Sequence, residues 1–369
     1  MPTAVVATSS MVWNAETEYA SAVVQAERRI GFSVVIAAPA GSPLLAAARG
    51  AETVELPGRD PDRSPADLLA DQRALSDLLR SHAFDVAHSS RQAAHVALAL
   101  AAAHGPPLVH LRGSAQRPKA HASNRFLYRR LTDAVIASSG RVAGWVTSDL
   151  GVPADRVRRI LAPVDVDRFA ALGHAEARSR LGWDEDRPVI VDVARLAPVK
   201  GQATLIEALP IVLERFPEAT LRLVGEPWSG EMERLGRLAD SLGVASAVEM
   251  TGRVDDVAPY VAAATVCVSS SVGSEENSRA VGEYLAAGRP VVATRVGVLP
   301  ELLGDGRGGR LVPPGDPGAM GEALVEVLAD PPGARRMARA GRESAARHLS
   351  SEAFGEALEG VLASVGVRR

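Results

Sequence analysis

The feature that most constrains the fold is an alternation of short apolar segments with longer helical ones, which runs through the chain twice. The first run opens with the apolar segment TAVVAT at residues 3–8, a helical segment near 16–30 and the apolar segment SVVIAA at 33–38. A strand, a helix and a second strand in so short a stretch are typical of a βαβ unit. The alternation restarts at Pro188. The sequence therefore predicts two α/β domains with doubly wound parallel sheets.

The length of the chain agrees with two domains. A single hydrophobic core stops growing at about 250–300 residues, and this chain has 369. The segment PVDVDRF at 163–169 lies between the two runs of alternation. We place the boundary there, which gives a first domain at 1–165 and a second at 166–350. Two such domains are expected to bind ligands in a cleft at the carboxyl ends of their strands.

Composition argues against several classes of protein. A formal net charge of −3 gives no signature of nucleic-acid binding. The single cysteine, Cys267, lies in an apolar run, so we expect a buried thiol without a disulfide. Without a cluster of cysteines and histidines, no structural zinc site is expected. The first residues, MPTAVVATSS, do not read as a signal peptide, and no apolar run is long enough to span a bilayer. We expect a cytoplasmic protein with at most peripheral contact at the inner face of the cell membrane.

The segment from Ser269 to Thr294 carries the clearest functional pattern. A loop of small residues leads into a helical stretch from about Asn277, and Glu275 and Glu283 bracket its beginning. A helix N-terminus presents free backbone N–H groups and the positive end of the helix dipole, which suits a diphosphate. Carboxylates beside that anion would then bind sugar hydroxyl groups.

Two cations follow the first strand of the second domain, at the end where such sheets bind ligands. Arg195 and Lys200 are spaced so that both side chains can converge on one group. A guanidinium binds phosphate in a bidentate manner, and lysine adds a point charge. The alternative is a pair of surface cations. Neither half has a G-x-G-x-x-G or a phosphate-loop lysine motif, which argues against a dinucleotide oxidoreductase and against a kinase.

A basic stretch occupies the later part of the first domain. Seven cations face a single acid, Asp133, between residues 112 and 141. One interpretation is a solvated helix face with a basic loop, and the other is a platform for an anionic acceptor or an anionic lipid surface. The cations are Arg112, Arg117, Lys119, Arg125, Arg129, Arg130 and Arg141.

A set of short motifs runs in a fixed order through the second half. They are ARL at 194–196 with KG at 200–201, LVG at 223–225, TGRV at 251–254, SEENSRAVGEYLAAGRPVVA at 274–293, LPE at 299–301 and LVPPGD at 311–316. In this order they resemble the retaining nucleotide-sugar glycosyltransferases of glycosyltransferase family 4, which have the GT-B fold. The resemblance implies two Rossmann-like domains facing a central cleft. It also implies that the last helix, at about 351–369, packs back on the first domain.

The resemblance implies a role for the residues around the opening of the helix. Glu275 would contact hydroxyl groups of the donor sugar, and Glu283 would hold the ribose hydroxyls. Backbone N–H groups of Asn277, Ser278 and Arg279 would bind the sugar or the diphosphate.

The resemblance also implies how the leaving group is stabilised. Arg195 and Lys200 would bind the departing diphosphate, Gly225 would belong to the donor site, and Arg253 with Val254 would flank the base. Cations fixed in place lower a transition state in which negative charge develops on the diphosphate. No metal and no cofactor is then expected, and the motif Asp165-Val166-Asp167 is interpreted as structural.

The first half departs from the family pattern. Many relatives have a Gly-Gly loop after the first strand, whereas residues 13–18 read WNAETE. Either this loop stands further from the donor, or Asn14 and Thr17 contact it with their side chains. The segment VHLRG at 109–113 ends a strand, and its register allows His110 or Arg112 to take the place of the family's histidine near the reacting sugar. His88, which also ends a strand, is a further candidate to line the cleft.

These observations lead to one main hypothesis and two alternatives. The main one is a retaining, metal-independent glycosyltransferase of cell-surface glycan, lipopolysaccharide or glycoconjugate biosynthesis. Its partners would be a nucleotide diphosphate sugar and a glycan, lipid-linked or small-molecule acceptor. The alternatives are a catalytically silent nucleotide-sugar-binding protein of the same fold and a nucleotide-sugar epimerase.

Overall fold

The chain folds into two compact units. The computed structural model describes residues 1–48, 50–59, 64–273 and 275–367. Unit 1 consists of Met1–Ala162 with Ser351–Arg369, and unit 2 of Pro163–Ser350. The boundary falls after Ala162 rather than after residue 165. The reason is local, because the N–H of Val164 donates to the carbonyl oxygen of Leu349 at 2.8 Å and ties this segment to unit 2.

Within the described residues of unit 1, seven parallel strands form one sheet in the order β3-β2-β1-β4-β5-β6-β7. The strands are β1 (Thr3–Thr8), β2 (Ser33–Pro39), β3 (Glu52–Leu56), β4 (Val86–Ser90), β5 (Leu108–Arg112), β6 (Ala134–Ala137) and β7 (Val157–Arg159). The helices are α1 (Ala15–Arg29), α2 (Pro43–Ala46), α3 (Pro65–Ser81), α4 (Gln92–Ala101), α5 (Ala122–Arg130), α6 (Gly140–Ser148) and α16 (Ser351–Ser364).

The central strands of unit 1 are apolar runs because helices cover both faces of the sheet. Val5 pairs with Val35 on one side and with Ala87 on the other, and all three side chains are buried. The last helix, α16, belongs to the layer that contains α1. Tyr19 and Phe354 join these two helices edge to face, with ring centroids 5.6 Å apart. The terminal helix is therefore part of the core of unit 1.

Unit 2 repeats the architecture with six parallel strands in its described residues, in the order β10-β9-β8-β11-β12-β13. The strands are β8 (Val189–Val193), β9 (Thr220–Val224), β10 (Val248–Gly252), β11 (Val266–Ser269), β12 (Val291–Thr294) and β13 (Arg310–Val312). The helices are α7 (Val166–Ala171), α8 (His174–Leu181), α9 (Gln202–Arg215), α10 (Glu231–Ser241), α11 (Ala258–Ala263), α12 (Arg279–Ala286), α13 (Leu299–Leu302), α14 (Pro317–Ala329) and α15 (Pro331–His348).

Each sheet has one point at which the order of its strands reverses. In unit 1 this point lies between β1 and β4, and in unit 2 between β8 and β11. The loops that leave the carboxyl ends of two such strands run in opposite directions, and the crevice between them is where open α/β sheets bind ligands. The α/β class with doubly wound sheets is confirmed, and the two reversal points are the places to look for sites.

Candidate active site

The candidate site in unit 2 is formed by the loops that follow β8 and β11, at the reversal point of the sheet. Gly201 closes the first loop with φ +73°, and a Cβ atom there would lie 2.0 Å from the carbonyl oxygen of Ser270. The Ser270 hydroxyl in turn donates to the carbonyl oxygen of Lys200 at 3.0 Å. Only glycine combines this backbone conformation with so close an approach. The loops after β8 and β11 are therefore in close contact at these residues.

Lys200 and Glu275 form the centre of the site. The ammonium group of Lys200 is ion-paired with Oε1 of Glu275, and the hydroxyl of Ser271 donates to the same oxygen at 2.6 Å. The Glu275 carboxylate is buried, whereas the Lys200 side chain is 26% exposed. Two residues far apart in the sequence therefore meet as one charged pair, with its cation nearer the solvent.

The backbone of Glu275 is held by a glycine that the sequence reasoning did not assign. Gly297 has φ +54°, and a Cβ atom there would lie 2.1 Å from the carbonyl oxygen of Glu275. The N–H of Val298 donates to that same oxygen at 2.6 Å. Gly297 therefore lets the segment before α13 approach the Glu275 loop closely. Its position shortly after an apolar strand was a signal for such a role.

Glu283 lies on α12 and is also paired. Its carboxylate is buried and accepts a hydrogen bond from Nε of Arg279, one helical turn earlier, at 2.6 Å. The guanidinium of Arg279 is half exposed. Helix α12 begins at Arg279, so Asn277 and Ser278 precede its first turn rather than belong to it. Glu275 and Glu283 thus lie before and within the same short helix, as the spacing predicted.

A buried acid on β8, Asp192, lies beside the site, and the sequence alone did not predict its role. Asp192 is 2% exposed, and Nε2 of Gln202 donates to its Oδ2 at 3.2 Å and to the carbonyl oxygen of Arg195 at 3.1 Å. Burial raises the pKa of Asp192 to about 7. The available signal was a single charged residue in the strand VIVDV. Asp192 and Gln202 hold the loop that carries Arg195, whose own side chain is exposed.

Three further predicted residues lie at the same edge of the sheet. Gly225 follows β9, and a Cβ atom there would lie 2.1 Å from the carbonyl oxygen of Ala194. Its N–H donates to the carbonyl oxygen of Gly252 at 3.0 Å. Gly225 therefore allows the loops after β8 and β9 to touch. Arg253 is exposed and Val254 half-buried just after β10, at the carboxyl end that all these strands share.

The structure separates the two candidates on β5. His110 is fully buried, stacks on the ring of His95 with centroids 3.8 Å apart, and contacts the Ser89 hydroxyl through Nδ1 at 3.0 Å. Burial, together with His95 and Arg112 nearby, lowers the pKa of His110 well below its ordinary value. His110 is not placed to touch a substrate in this structure, because its side chain faces the interior. Arg112 ends the strand and lines an open cavity.

Two other predicted positions have structural partners. The side chain of Asn14 caps α1, accepting hydrogen bonds at 3.0 Å from the N–H groups of Glu16 and Thr17. Its oxygen is thus engaged in a helix cap, which differs from the predicted contact with the donor. His88 is buried against Glu27, with Nε2 2.6 Å from Oε1, rather than lining a cleft. Both differences arise because these side chains satisfy polar groups within unit 1 itself.

The expectations about metals and thiols can be compared with the described side chains. In the part of the chain that the structure describes, no three His, Cys, Asp or Glu side chains come together as metal ligands would. Asp165 caps α7 by accepting from the N–H of Arg168 at 3.0 Å. Cys267 is buried, and burial raises the pKa of its thiol. Among the described residues there is also no helix that is long and apolar enough to cross a membrane.

Two Rossmann-like units with parallel sheets are the architecture of the GT-B fold. The structure of Anabaena Alr3699/HepE in complex with UDP has the same fold, with a TM-score of 0.83 over 99% of this chain and 100% of that one, at 21% identity. The family model Glycosyltransferase Family 4 matches residues 18–168, and the model Glycosyl transferases group 1 matches residues 187–330.

Relatives in sequence lead to the same conclusion. The D-inositol 3-phosphate glycosyltransferase of Streptomyces scabiei is 31% identical over 318 residues, which cover 79% of this chain and 70% of that protein. The GDP-mannose-dependent alpha-(1-6)-phosphatidylinositol monomannoside mannosyltransferase of Mycolicibacterium smegmatis is 38% identical over 200 residues, 52% of each chain. This chain belongs to glycosyltransferase family 4 and is a glycosyltransferase of GT-B type.

Proposed function

We propose that this protein is a retaining, metal-independent glycosyltransferase that transfers a sugar from a nucleotide diphosphate sugar to an acceptor in cell-surface glycan, lipopolysaccharide or glycoconjugate biosynthesis. The observation that carries the proposal is the Lys200–Glu275 pair at the reversal point of unit 2. It supplies a cation for a phosphate and a fixed carboxylate for sugar hydroxyls at adjacent positions.

The charges around this pair support a mechanism in which the leaving group is stabilised by the protein. When the bond between sugar and phosphate breaks, negative charge develops on the diphosphate. Lys200, Arg195 and the backbone N–H groups at the start of α12 are the donors available to it. Groups fixed before the reaction stabilise such charge most effectively. On this proposal no metal ion takes part.

The partners of Glu275 favour a binding role over a nucleophilic one. Its Oε1 atom already accepts from Lys200 and Ser271. A carboxylate engaged in this way is a poorer nucleophile, because attack would give up both contacts. We therefore propose that the acceptor hydroxyl attacks from the face that the diphosphate leaves, with the diphosphate taking the proton, and that Glu275 orients the sugar. Glu283 then binds the ribose.

The names of the relatives point to the class of donor. The mycobacterial relative is named as dependent on GDP-mannose, and the Anabaena structure contains UDP. Calorimetry of the full chain with UDP, GDP and ADP sugars therefore tests the proposal, with Arg237→Ala as a control variant on the exposed side of α10. We expect one donor class to bind. If no UDP, GDP or ADP sugar binds, the proposal is wrong.

Two further measurements test the finer parts. NMR of the first product formed gives the configuration at the anomeric carbon, and an inverted product would exclude retention. Turnover that falls on chelation and returns with a divalent cation would exclude metal independence.

The alternative functions have their own outcomes. Conversion of the nucleotide sugar without an acceptor would identify an epimerase, and tight donor binding without any turnover would identify a silent binding protein.

A further inference from the structure

A second site is suggested by a cavity at the reversal point of unit 1. It has a volume of about 1440 Å³ and is formed where the loops after β1 and β4 part. Ser9 and Met11 line it from the first loop, Arg91 and Gln92 from the second, and Arg112 from the end of β5. The cavity is larger than a typical small-molecule pocket. Its position is the one at which an open α/β sheet binds a ligand.

Arg112 is a buried cation that faces this cavity. Its side chain belongs to a residue only 7% exposed, and its Nη2 atom donates to the carbonyl oxygen of Gln116. Its Nε atom has no hydrogen-bond partner among the described residues. Burying a charge is costly unless an opposite charge or several hydrogen bonds compensate it. A ligand with negative charge would supply what the described part of the chain does not.

Arg91 is the second unusual residue of the cavity. Its φ of +73° is the only positive φ at a non-glycine position in the described chain, and its ψ is 157°. This conformation is essentially restricted to glycine, and strain of this kind collects at functional sites. The carbonyl oxygen of Arg91 accepts from the N–H of His95 at 3.0 Å, so the residue is also the N-cap of α4. A glycine would make the same turn without strain. The turn itself therefore does not require arginine, and what arginine adds at this position is its guanidinium group.

The charges that line the cavity do not cancel. Arg91 faces Glu16, with Nη1 3.8 Å from Oε2, and Arg117 is paired with Asp149. Arg112 and Lys119 form no ion pair with any residue that the structure describes. The cavity therefore has an excess of positive charge.

Part of the cavity wall is apolar and open to solvent. Phe126 is 58% exposed, Leu100 54% and Met11 46%. An apolar wall beside a positive one fits a ligand with an anionic group and a less polar body, such as a sugar phosphate or a phospholipid head group.

We propose that this cavity binds the glycosyl acceptor through a phosphate group, which Arg112 and Arg91 hold, and that the strained turn at Arg91 aims its guanidinium at that phosphate. The role of the ligand as acceptor rests on the proposed function, whereas the binding of a phosphate in this cavity does not. The structure thus assigns two arginines of unit 1 to recognition of one chemical group.

The test uses calorimetry on the full chain with glucose 6-phosphate, with glucose as its neutral counterpart and with dihexanoyl phosphatidylglycerol as the lipid source of the same group. We expect glucose 6-phosphate or the lipid to bind and glucose not to bind. The tighter of the two phosphates identifies the free or lipid-linked source. Arg112→Gln and Arg91→Ala should each weaken binding about tenfold or more. Arg73→Gln, at an exposed cation of α3 that does not line the cavity, should leave it unchanged.

The strain at Arg91 gives a second readout. Arg91→Gly and Arg91→Ala both remove the guanidinium, but only glycine relieves the backbone. We expect both variants to lose phosphate binding, with a higher Tm for Arg91→Gly than for Arg91→Ala. Equal binding of glucose and glucose 6-phosphate, no binding of either phosphate, or unchanged affinity in both Arg112→Gln and Arg91→Ala would overturn the proposal.

Failure of this proposal can be told apart from failure of the proposed function. Binding and transfer of the nucleotide sugar are therefore measured on the wild-type chain alongside binding of the phosphates. Donor binding with transfer but without phosphate binding would overturn the anion site alone. Phosphate binding that depends on Arg112, without any donor binding, would overturn the proposed function and keep the site.

Discussion

The two units place cations at the same point of their sheets but compensate them differently. At the reversal point of unit 2, Lys200 is ion-paired with Glu275, and Arg279 with Glu283 on the helix that follows. In the cavity of unit 1, Arg112 at the end of β5 is buried without an ion pair among the described residues. Arg91, after β4, lies in a strained turn and is paired with Glu16. Both charged pairs of unit 2 therefore carry their own counter-charges, whereas Arg112 of unit 1 has none among the described residues. If the two proposals hold, the same architecture supports a preorganised site in unit 2 and a site in unit 1 that a ligand completes.

The two units also differ in the titratable groups that they bury. Unit 1 buries two stacked neutral rings, His95 and His110, below Arg112, and unit 2 buries the carboxyl group of Asp192 below Lys200. Burial favours the neutral form of each group, which lowers the pKa of a histidine and raises that of an acid. The two units should consequently respond to pH in opposite directions.

The largest expected effect concerns His95. Burial lowers its pKa from 6.5 to about 3, so between these values the unfolded chain binds a proton that the folded chain does not. Its contribution to the stability of unit 1 is complete above pH 6.5 and is lost as pH falls toward 3. The full difference is on the order of 5 kcal/mol. His95→Gln can keep the contact with Thr132 and should make this part of the pH profile less steep, while His110, whose pKa burial also lowers, contributes the slope that remains.

The measurement must resolve the two units. Urea denaturation at pH 4, 5, 6 and 7, each followed by a brief pulse of hydrogen exchange at one fixed pH, reports peptides of unit 1 and unit 2 separately by mass spectrometry. His82→Gln, at an exposed histidine of the same unit, is the control. If His95→Gln and wild type have the same profile in unit 1, the buried rings do not set its sensitivity to acid.

Asp192 should give the opposite slope in unit 2. Its pKa rises from 3.8 to about 7, so between these values the folded chain binds a proton that the unfolded chain does not. Unit 2 should lose stability as pH rises from about 4 to 7 and then remain level. The loss is on the order of 4 kcal/mol. Asp192→Asn can still accept from Gln202 and should remove the slope in the same experiment. The same slope in that variant and in wild type would contradict the assignment to Asp192.

The next effect concerns the charged pair of unit 2. Lys200→Ala and Glu275→Ala should each lower kcat/KM about a hundredfold, because a preorganised charge in the transition state contributes about 3 kcal/mol. Steady-state transfer assays measure this, with circular dichroism to check the fold and Arg237→Ala as control. Near wild-type rates in either variant would mean that the pair of unit 2 serves packing. The contrast with unit 1 would then lose its functional meaning.

The sequence predicted the site of unit 2 better than that of unit 1, and the reason is geometric. Glu275 and Glu283 lie on one continuous segment, so their spacing was visible in the sequence, and Arg195 and Lys200 share one loop. In unit 1 the cavity is assembled from the ends of β1, β4 and β5, which no single motif spans. Such a site appears only when the strand order is known.

Burial was the other property that the sequence could not supply. His110 and Arg112 are two residues apart on β5 and therefore lie on the same face of the sheet, but how deeply each is buried depends on what covers it. His95 and Tyr128, which come from α4 and α5, enclose His110. The alternation of strands and helices, in contrast, follows from local hydrophobic patterning, so the α/β fold class could be predicted.

The smallest expected effect concerns Glu283, and it asks whether the second pair of unit 2 binds a ligand or only stabilises α12. If Glu283 holds the ribose, Glu283→Gln should weaken binding of the matching nucleoside diphosphate about tenfold, the effect of a hydrogen bond to a charged group. Wild type should bind the ribonucleotide more tightly than its 2′-deoxy or 3′-deoxy analogue, and this preference should shrink in Glu283→Gln. Calorimetry measures all of these affinities.

Arg279→Gln, which removes the exposed partner of Glu283 but keeps the carboxylate, should preserve the preference. An unchanged preference in Glu283→Gln would mean that the pair stabilises α12 alone.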